Sequence, residues 1–396
     1  MSTNTSRIEP ANGNDYWLNQ RRLRAYPVIF LGVYMVISIC WILLSTNMID
    51  IKGTPLGADF ITFWAASHLG LHGNPVDAYD ALKIHAAEEL VVPSSGVFVW
   101  LYPPTFFALV LPLAKLPYIA SYLAFMLTTL SGFLATMWKI SPTRQSILLV
   151  LAFPGVLINF MSGQNAFLTA TLAGLSLLLL QKNPVLAGIC IGLLAVKPHL
   201  AILFPLALMI SAAWQAMLSA AITSGLFIIL STFLLGTQVW DAFLNAITFA
   251  RQLNEQGALP WEKMSTVFAG ARALELSLTA AYALHASIAL LATMGMITVW
   301  RRTIDLHLRG ASFVAATLLI SPHLFVYDML WLALPIAWLT LHGMAHGWRK
   351  GDRELLILAW LYPLISLGMT KSVGLQIGPL ISFGLLLMTL RHSRVG

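Results

Sequence analysis

From Tyr26 onward, long apolar runs alternate with short polar breaks along almost the whole chain. A helix rising 1.5 Å per residue needs about 20 apolar residues to cross a hydrocarbon layer roughly 30 Å thick, and the longer runs reach that length. None shows the two-residue alternation of a membrane barrel strand, and a backbone in lipid must satisfy its own hydrogen bonds, so the runs are read as helices. They predict spans over 26–46, 117–138, 146–162, 165–181, 184–198, 200–214, 217–236, 277–300, 310–322, 324–341, 354–370 and 374–391. The expected fold class is therefore all-α, a polytopic membrane protein with about twelve transmembrane helices, within bounds of about eleven to thirteen.

Basic residues mark the cytoplasmic ends of membrane helices. Here they cluster at Arg21/Arg22/Arg24, Lys139 with Arg144, Arg301/Arg302/Arg309, Arg349/Lys350/Arg353 and Arg391/Arg394. This pattern places both termini in the cytoplasm. The apolar stretch YPPTFFALVLPLAKLP (102–117) would invert the following charges if it crossed, so it is expected as a half-helix or re-entrant element on the outer side. Two outer loops stand out by length, 47–101 and 237–276. In the first, Asn74 and Pro75 read as a helix start, and Tyr79, Leu82, Ala86 and Leu90 recur at helical spacing, which predicts a helix lying on the membrane surface. The chain divides into a polar cytoplasmic tail (1–24), of which about the first 20 residues are read as disordered, a membrane module (25–345) and a C-terminal helical hairpin (346–396).

Composition agrees: 58% of residues are hydrophobic and 10% charged, too apolar for one water-soluble core. The net charge of +7 is spread over helix ends without a dense patch, which argues for topology signals and against nucleic acid. Cys40 and Cys190 both fall in predicted spans and read as small apolar residues. The first run lacks a small-residue cleavage site, so it is expected to stay as a signal anchor.

Ionisable or amide groups at membrane depth are costly unless paired or wetted, which makes them functional candidates. Four places qualify: Asp59; Lys197 with His199; His323 with Asp328; and Gln164 with Asn165. All four fall at the outer ends of predicted helices. Pro198, Pro322 and Gly163 sit beside three of them, where they break helices and free backbone groups around a cavity. Each has a plainer role open to it. Asp59 would cap the helix beginning at Phe60, Lys197 would snorkel to headgroups, and His323 would sit neutral on a carbonyl with Asp328 as its partner. Gln164 and Asn165 would join helices.

The blocks GADFITFWAASHLGLHGNPVDAYD, YPPTFFALVLPLAKLP, SGQNAFLTATLAGLSLLLL, PVLAGICIGLLAVKPHLAILFPLAL and SPHLFVYDMLWLALP, in that order, resemble bacterial glycosyltransferase family 87 over roughly residues 25–345. That resemblance implies the fold of the C-type glycosyltransferase superfamily, with interfacial helices in the first outer loop. It implies transfer of a hexose, often mannose, from a polyprenyl-phosphate carrier to an acceptor hydroxyl of a glycolipid or glycan on the non-cytoplasmic face. The matching general base is Asp59. A base to take the acceptor proton and cations to meet charge on the departing phosphate are what such an inverting displacement requires. Lys197, His323 and His199 are the phosphate candidates. Gln164, Asn165, Tyr102, Asp328 and Arg272 are expected at sugar or acceptor, and Phe60, Phe63, Trp64 and Phe106 along a lipid groove. The loop residues Arg251, Glu255, Glu262 and Lys263 are either solvated or contact acceptor or phosphate. No cofactor or divalent metal is expected, because the first block holds one well-placed acid; His199, His323 and Asp59 would suit zinc only if they met. The expected location is the inner (plasma) membrane. The rival reading is a secondary transporter with an outward-facing polar cavity, weakened by the one-sided polar groups and the absence of clear repeats.

Overall fold

The computed structural model describes residues 17–93, 96, 98–373 and 375–394, and all its regular elements are helices. The expected tail falls mostly outside the described residues. Its end leads straight into α1 (Gln20–Leu43): Asn19 caps the helix, accepting from the Arg22 amide, so the Arg21/Arg22/Arg24 cluster lies in the first helical turns.

The first of the two long loops, 47–101, contains α2 (Phe60–His72) and α3 (Ala81–Glu89). The helix start expected at Asn74 is a 3₁₀ turn, Pro75–Tyr79, and Asp80 then caps α3 through the Leu82 and Lys83 amides. Ile84, Ala87 and Glu88 face inward while Leu82 and Leu90 lie open, leaving an apolar stripe suited to a membrane surface. The stretch expected as a half-helix forms α4 (Pro104–Val110), seven residues starting on a proline.

α5 (Tyr118–Ile140) is a full-length apolar helix. α6 (Arg144–Leu151) and α7 (Pro154–Ser162) form one bent unit, kinked by 51° where Pro154 interrupts the hydrogen-bond ladder. α8 (Ala166–Leu179), α9 (Pro184–Leu193) and α10 (Phe204–Ile210) are short, whereas α11 (Trp214–Leu235) is long. Gly188 lies against Ala216, Ser219 and Ala220, and Gly192 against Ala220 and Thr223. Both numberings ascend together, so α9 and α11 run parallel and α10 brings the chain back between them.

α12 (Gln238–Glu255) and α13 (Val267–Ala273) make up the second long loop. α14 (Leu278–Arg302), α15 (Leu306–Ile320) and α16 (Ala333–His346) follow, the last preceded by a 3₁₀ segment, Val326–Leu332. α17 (Asp352–Val373) and α18 (Gly378–His392) complete the chain. These two are no appendage. α18 packs along α15 and α14, α17 packs on α7, and Tyr362 and Leu385 are fully buried.

Every predicted span lands on a helix, yet five helices are individually long and apolar enough to cross a membrane, or six if the bent α6–α7 pair counts as one. Several of the rest are apolar but short, α8, α9, α10 and α15 among them, and α9 stops at the break before Pro198 where the site is built. Across α11 the side chains of Leu226, Ile229 and Phe233 are exposed, as expected of a helix facing lipid.

Candidate active site

Two glycines bring the acid and its partner together. Gly163 ends α7 in the left-handed region (φ +63°), and a Cβ there would lie 2.2 Å from the Gly57 carbonyl oxygen. Gly57 has φ +83° and backs onto the Tyr122 ring. Only residues without a side chain allow so close an approach. The Asp59 amide then donates to the Ser162 carbonyl (3.1 Å), while the Tyr118 and Tyr122 hydroxyls donate to the Leu56 and Phe160 carbonyls (both 2.6 Å).

Asp59 stands at the start of α2, but its side chain makes no capping bond. Instead Oδ2 accepts from Gln164 Nε2 at 2.7 Å, and Gln164 Oε1 accepts from the Tyr102 hydroxyl at 2.8 Å. The carboxylate is partly exposed, whereas Gln164 behind it is buried. Burial among protein groups raises the Asp59 pKa; the Gln164 bond, then Lys263 and Lys197, oppose that rise. A raised pKa makes the ionised form a better proton acceptor.

Lys197 sits between two 3₁₀ turns, Leu194–Val196 and Pro198–Leu200, because Pro198 cannot continue α9. One carbonyl in that break, that of Ala195, accepts from Thr105 Oγ1 of α4 at 2.7 Å, which docks the half-helix here. Lys197 does not snorkel: it is buried and pairs with Asp328 at 2.5 Å. Asp328 is therefore not the partner of His323. Its second oxygen accepts from the Phe325 amide at 3.2 Å, so Asp328 is consumed by the lysine and the turn, and its expected contact with sugar is not available. Tyr327, not singled out in the sequence, lies under the Lys197 ammonium, 5.4 Å from ring centroid to Nζ, and within electrostatic reach of Asp59.

His323 is partly exposed, with its ring edge-on to Phe325. Burial by surrounding protein, with Lys197 adding, holds its pKa down at about 4, so it is neutral at physiological pH. His199 lies within the field of Lys197 and His323, and its Nε2 finds no partner among the described residues. Asn165 is fully buried with both side-chain polar atoms likewise unpartnered.

The second long loop closes over this region. The Ser265 amide donates to the Leu324 carbonyl (2.9 Å), and Gln376 Nε2 donates to the Trp261 carbonyl (2.8 Å). This places Lys263 where its charge acts on Asp59. Arg272 is used otherwise: it donates to the Leu276 and Glu255 carbonyls and stacks on Trp261, so it holds the loop instead of facing the cavity. The expected lipid groove is also corrected. Phe60, Phe63 and Phe106 are fully buried and, with Trp100, Tyr102 and Phe125, form a packed ring cluster beneath Asp59; Trp64, nearly buried, instead stacks on His68 and donates to the Leu116 carbonyl. Aromatic rings this closely packed exclude a chain between them.

The all-helical bundle brings an acid, a lysine and two histidines together at one end, and ionisable groups gathered in this way mark a functional site of a membrane protein. A family model for glycosyltransferase family 87 matches residues 100–322, more than half of the chain, and the chain belongs to that family. It is accordingly a membrane glycosyltransferase. No curated protein and no solved structure matches it. The matched stretch contains Tyr102, Gln164, Asn165, Lys197, His199 and Lys263; Asp59 precedes it, and His323 and Asp328 follow it.

Proposed function

We propose that this glycosyltransferase moves a hexose, mannose in the first instance, from a polyprenyl-phosphate carrier to an acceptor hydroxyl on the outer face of the inner membrane. The observation that carries the reading is the Asp59 carboxylate. It is partly exposed, held from behind by Gln164 and Tyr102, and close to a cationic group built on Lys197 and Lys263. In the proposed step the acceptor O–H gives its proton to Asp59 as its oxygen attacks the anomeric carbon. The bond from that carbon to the phosphate oxygen breaks on the opposite face, and the electron pair leaves with the lipid phosphate. The configuration inverts. The phosphate gains a full negative charge as it leaves, so fixed cations and N–H donors favour the transition state more than the ground state. Lys197 supplies charge, and His199 and His323 supply neutral ring N–H donors. Asn165 is the remaining candidate for a sugar hydroxyl, while Gln164 and Tyr102 orient the base. No divalent metal takes part in this scheme.

The same proposal includes twelve crossings, both termini in the cytoplasm and the site outside. The return of α10 between parallel α9 and α11 supports crossings by helices too short to qualify alone. The test is transfer of radiolabelled mannose from polyprenyl-phosphate-mannose into a crude lipid acceptor pool by membrane-embedded protein. Asp59→Asn should lower the rate at least about 10²-fold, the usual share of a general base, and wild-type rate should rise with pH as Asp59 ionises. Equal transfer by the two proteins would refute Asp59 as base; no transfer by either would refute this pairing of donor and acceptor.

A further inference from the structure

The end of the bundle away from Asp59 gathers a second set of ionisable side chains that the transfer reaction leaves unused. Asp305 caps α15, its Oδ1 accepting from the His307 amide at 2.8 Å. That oxygen also lies 3.4 Å from His307 Nδ1, and Oδ2 lies 2.8 Å from His342 Nδ1 on α16. One ligand atom from each of the three residues falls within 4.8 Å of the others. His346, one turn beyond His342, stacks on it with ring centroids 4.4 Å apart. The His392 ring, held by Asp352, meets His342 edge-on at 5.0 Å.

We propose that Asp305, His307 and His342 form a site for a divalent transition-metal ion, zinc by preference, which clamps the start of α15 to the end of α16. Two imidazoles and one carboxylate are a donor set that zinc accepts, with metal–ligand bonds near 2.0–2.2 Å. Neighbouring ligand atoms around a tetrahedral ion lie about 3.3 Å apart; here the two imidazoles flank the carboxylate, His342 Nδ1 hydrogen-bonded to Oδ2 at 2.8 Å and His307 Nδ1 3.4 Å from Oδ1, so small side-chain rotations bring one atom of each residue to that spacing. Calcium or magnesium would want several oxygen ligands, and this cluster offers one carboxylate. His342 is buried while Asp305 and His307 are partly exposed, so an ion enters from water. Water, or the exposed His346, completes the coordination. The fifteen residues of α15, about 22 Å of helix, separate this cluster from His323, so the ion is structural and takes no part in sugar transfer.

The test uses the untagged full chain in detergent, stripped with chelator and titrated with zinc. Expected are one zinc per chain after dialysis, a rise in thermal midpoint on zinc addition, and, with cobalt(II) instead, the visible absorption of a tetrahedral site. His307→Ala, at a partly exposed position that folding tolerates, should weaken zinc binding at least tenfold, while His72→Ala on α2 should leave it unchanged. Less than stoichiometric zinc in the wild type overturns the proposal without reference to any variant. Equal binding by His307→Ala, or loss of binding in His72→Ala, overturns it as well.

Discussion

At the scale of single residues, the pairing of Lys197 with Asp328 shapes the site most. Both are buried, and the ammonium–carboxylate contact of 2.5 Å joins residues 131 positions apart. Removing one partner leaves the other charged and unpaired in a poorly solvated place, which costs about 3–5 kcal/mol in comparable buried pairs. Lys197→Ala should therefore lower the thermal midpoint in detergent more than Lys197→Ala combined with Asp328→Ala does; a double variant less stable than the single one would show that the pair is not coupled. The identities of the polar residues were legible because each interrupts an apolar run. Their partners were not. Sequence proximity pointed Asp328 toward His323, five residues away, whereas folding brings a lysine from another helix break to it. Tyr327 gave no signal at all, since a tyrosine in an apolar stretch reads as ordinary core or interface.

At the scale of elements, glycines and prolines decide where helices stop and what lies at their ends. Gly163 turns the chain after α7 so that Gln164 reaches Asp59, and its left-handed backbone touches Gly57. Gly163→Ala should be destabilising by more than the roughly 1 kcal/mol that a positive φ alone costs, because its methyl group would collide with the Gly57 carbonyl. Since that collision moves the Asp59 turn, transfer should fall even in the protein that remains folded. The readouts are thermal unfolding and sugar transfer per folded molecule, and an unchanged rate would show that the Gly57–Gly163 contact does not set the geometry of the acid. The half-helix α4 was foreseeable from its apolar content and the charges that follow it. Its docking on the Lys197 break, through Thr105 and the Ala195 carbonyl, was not, because a freed carbonyl leaves no trace in composition.

At the scale of the whole molecule, the outer assignment of the Asp59 end rests on the distribution of basic residues. It makes a prediction about two exposed positions. In a chain with Cys40 and Cys190 changed to serine, Glu89→Cys on α3 should react with a membrane-impermeant maleimide on intact cells, and Ile304→Cys, between α14 and α15, only after permeabilisation. The reverse pattern would invert the topology. The C-terminal hairpin shows how tertiary packing extends a site. Read alone it carried no motif, yet Tyr362 bonds Ser265 at 2.7 Å and Gln376 holds Trp261, fastening the loop that brings Lys263 toward Asp59. The linear sequence by itself determined the helical class, the membrane setting, the rough placement of the apolar segments and the short list of polar residues. These follow from transfer free energy and backbone hydrogen bonding, which act residue by residue along the chain. Only the tertiary structure decided which charge meets which, that the aromatic run under Asp59 is a solid core and not a groove, and that three ligand-type side chains gather at the far end. Those outcomes depend on contacts between segments far apart in sequence, formed when close packing and the pairing of buried charges are satisfied together.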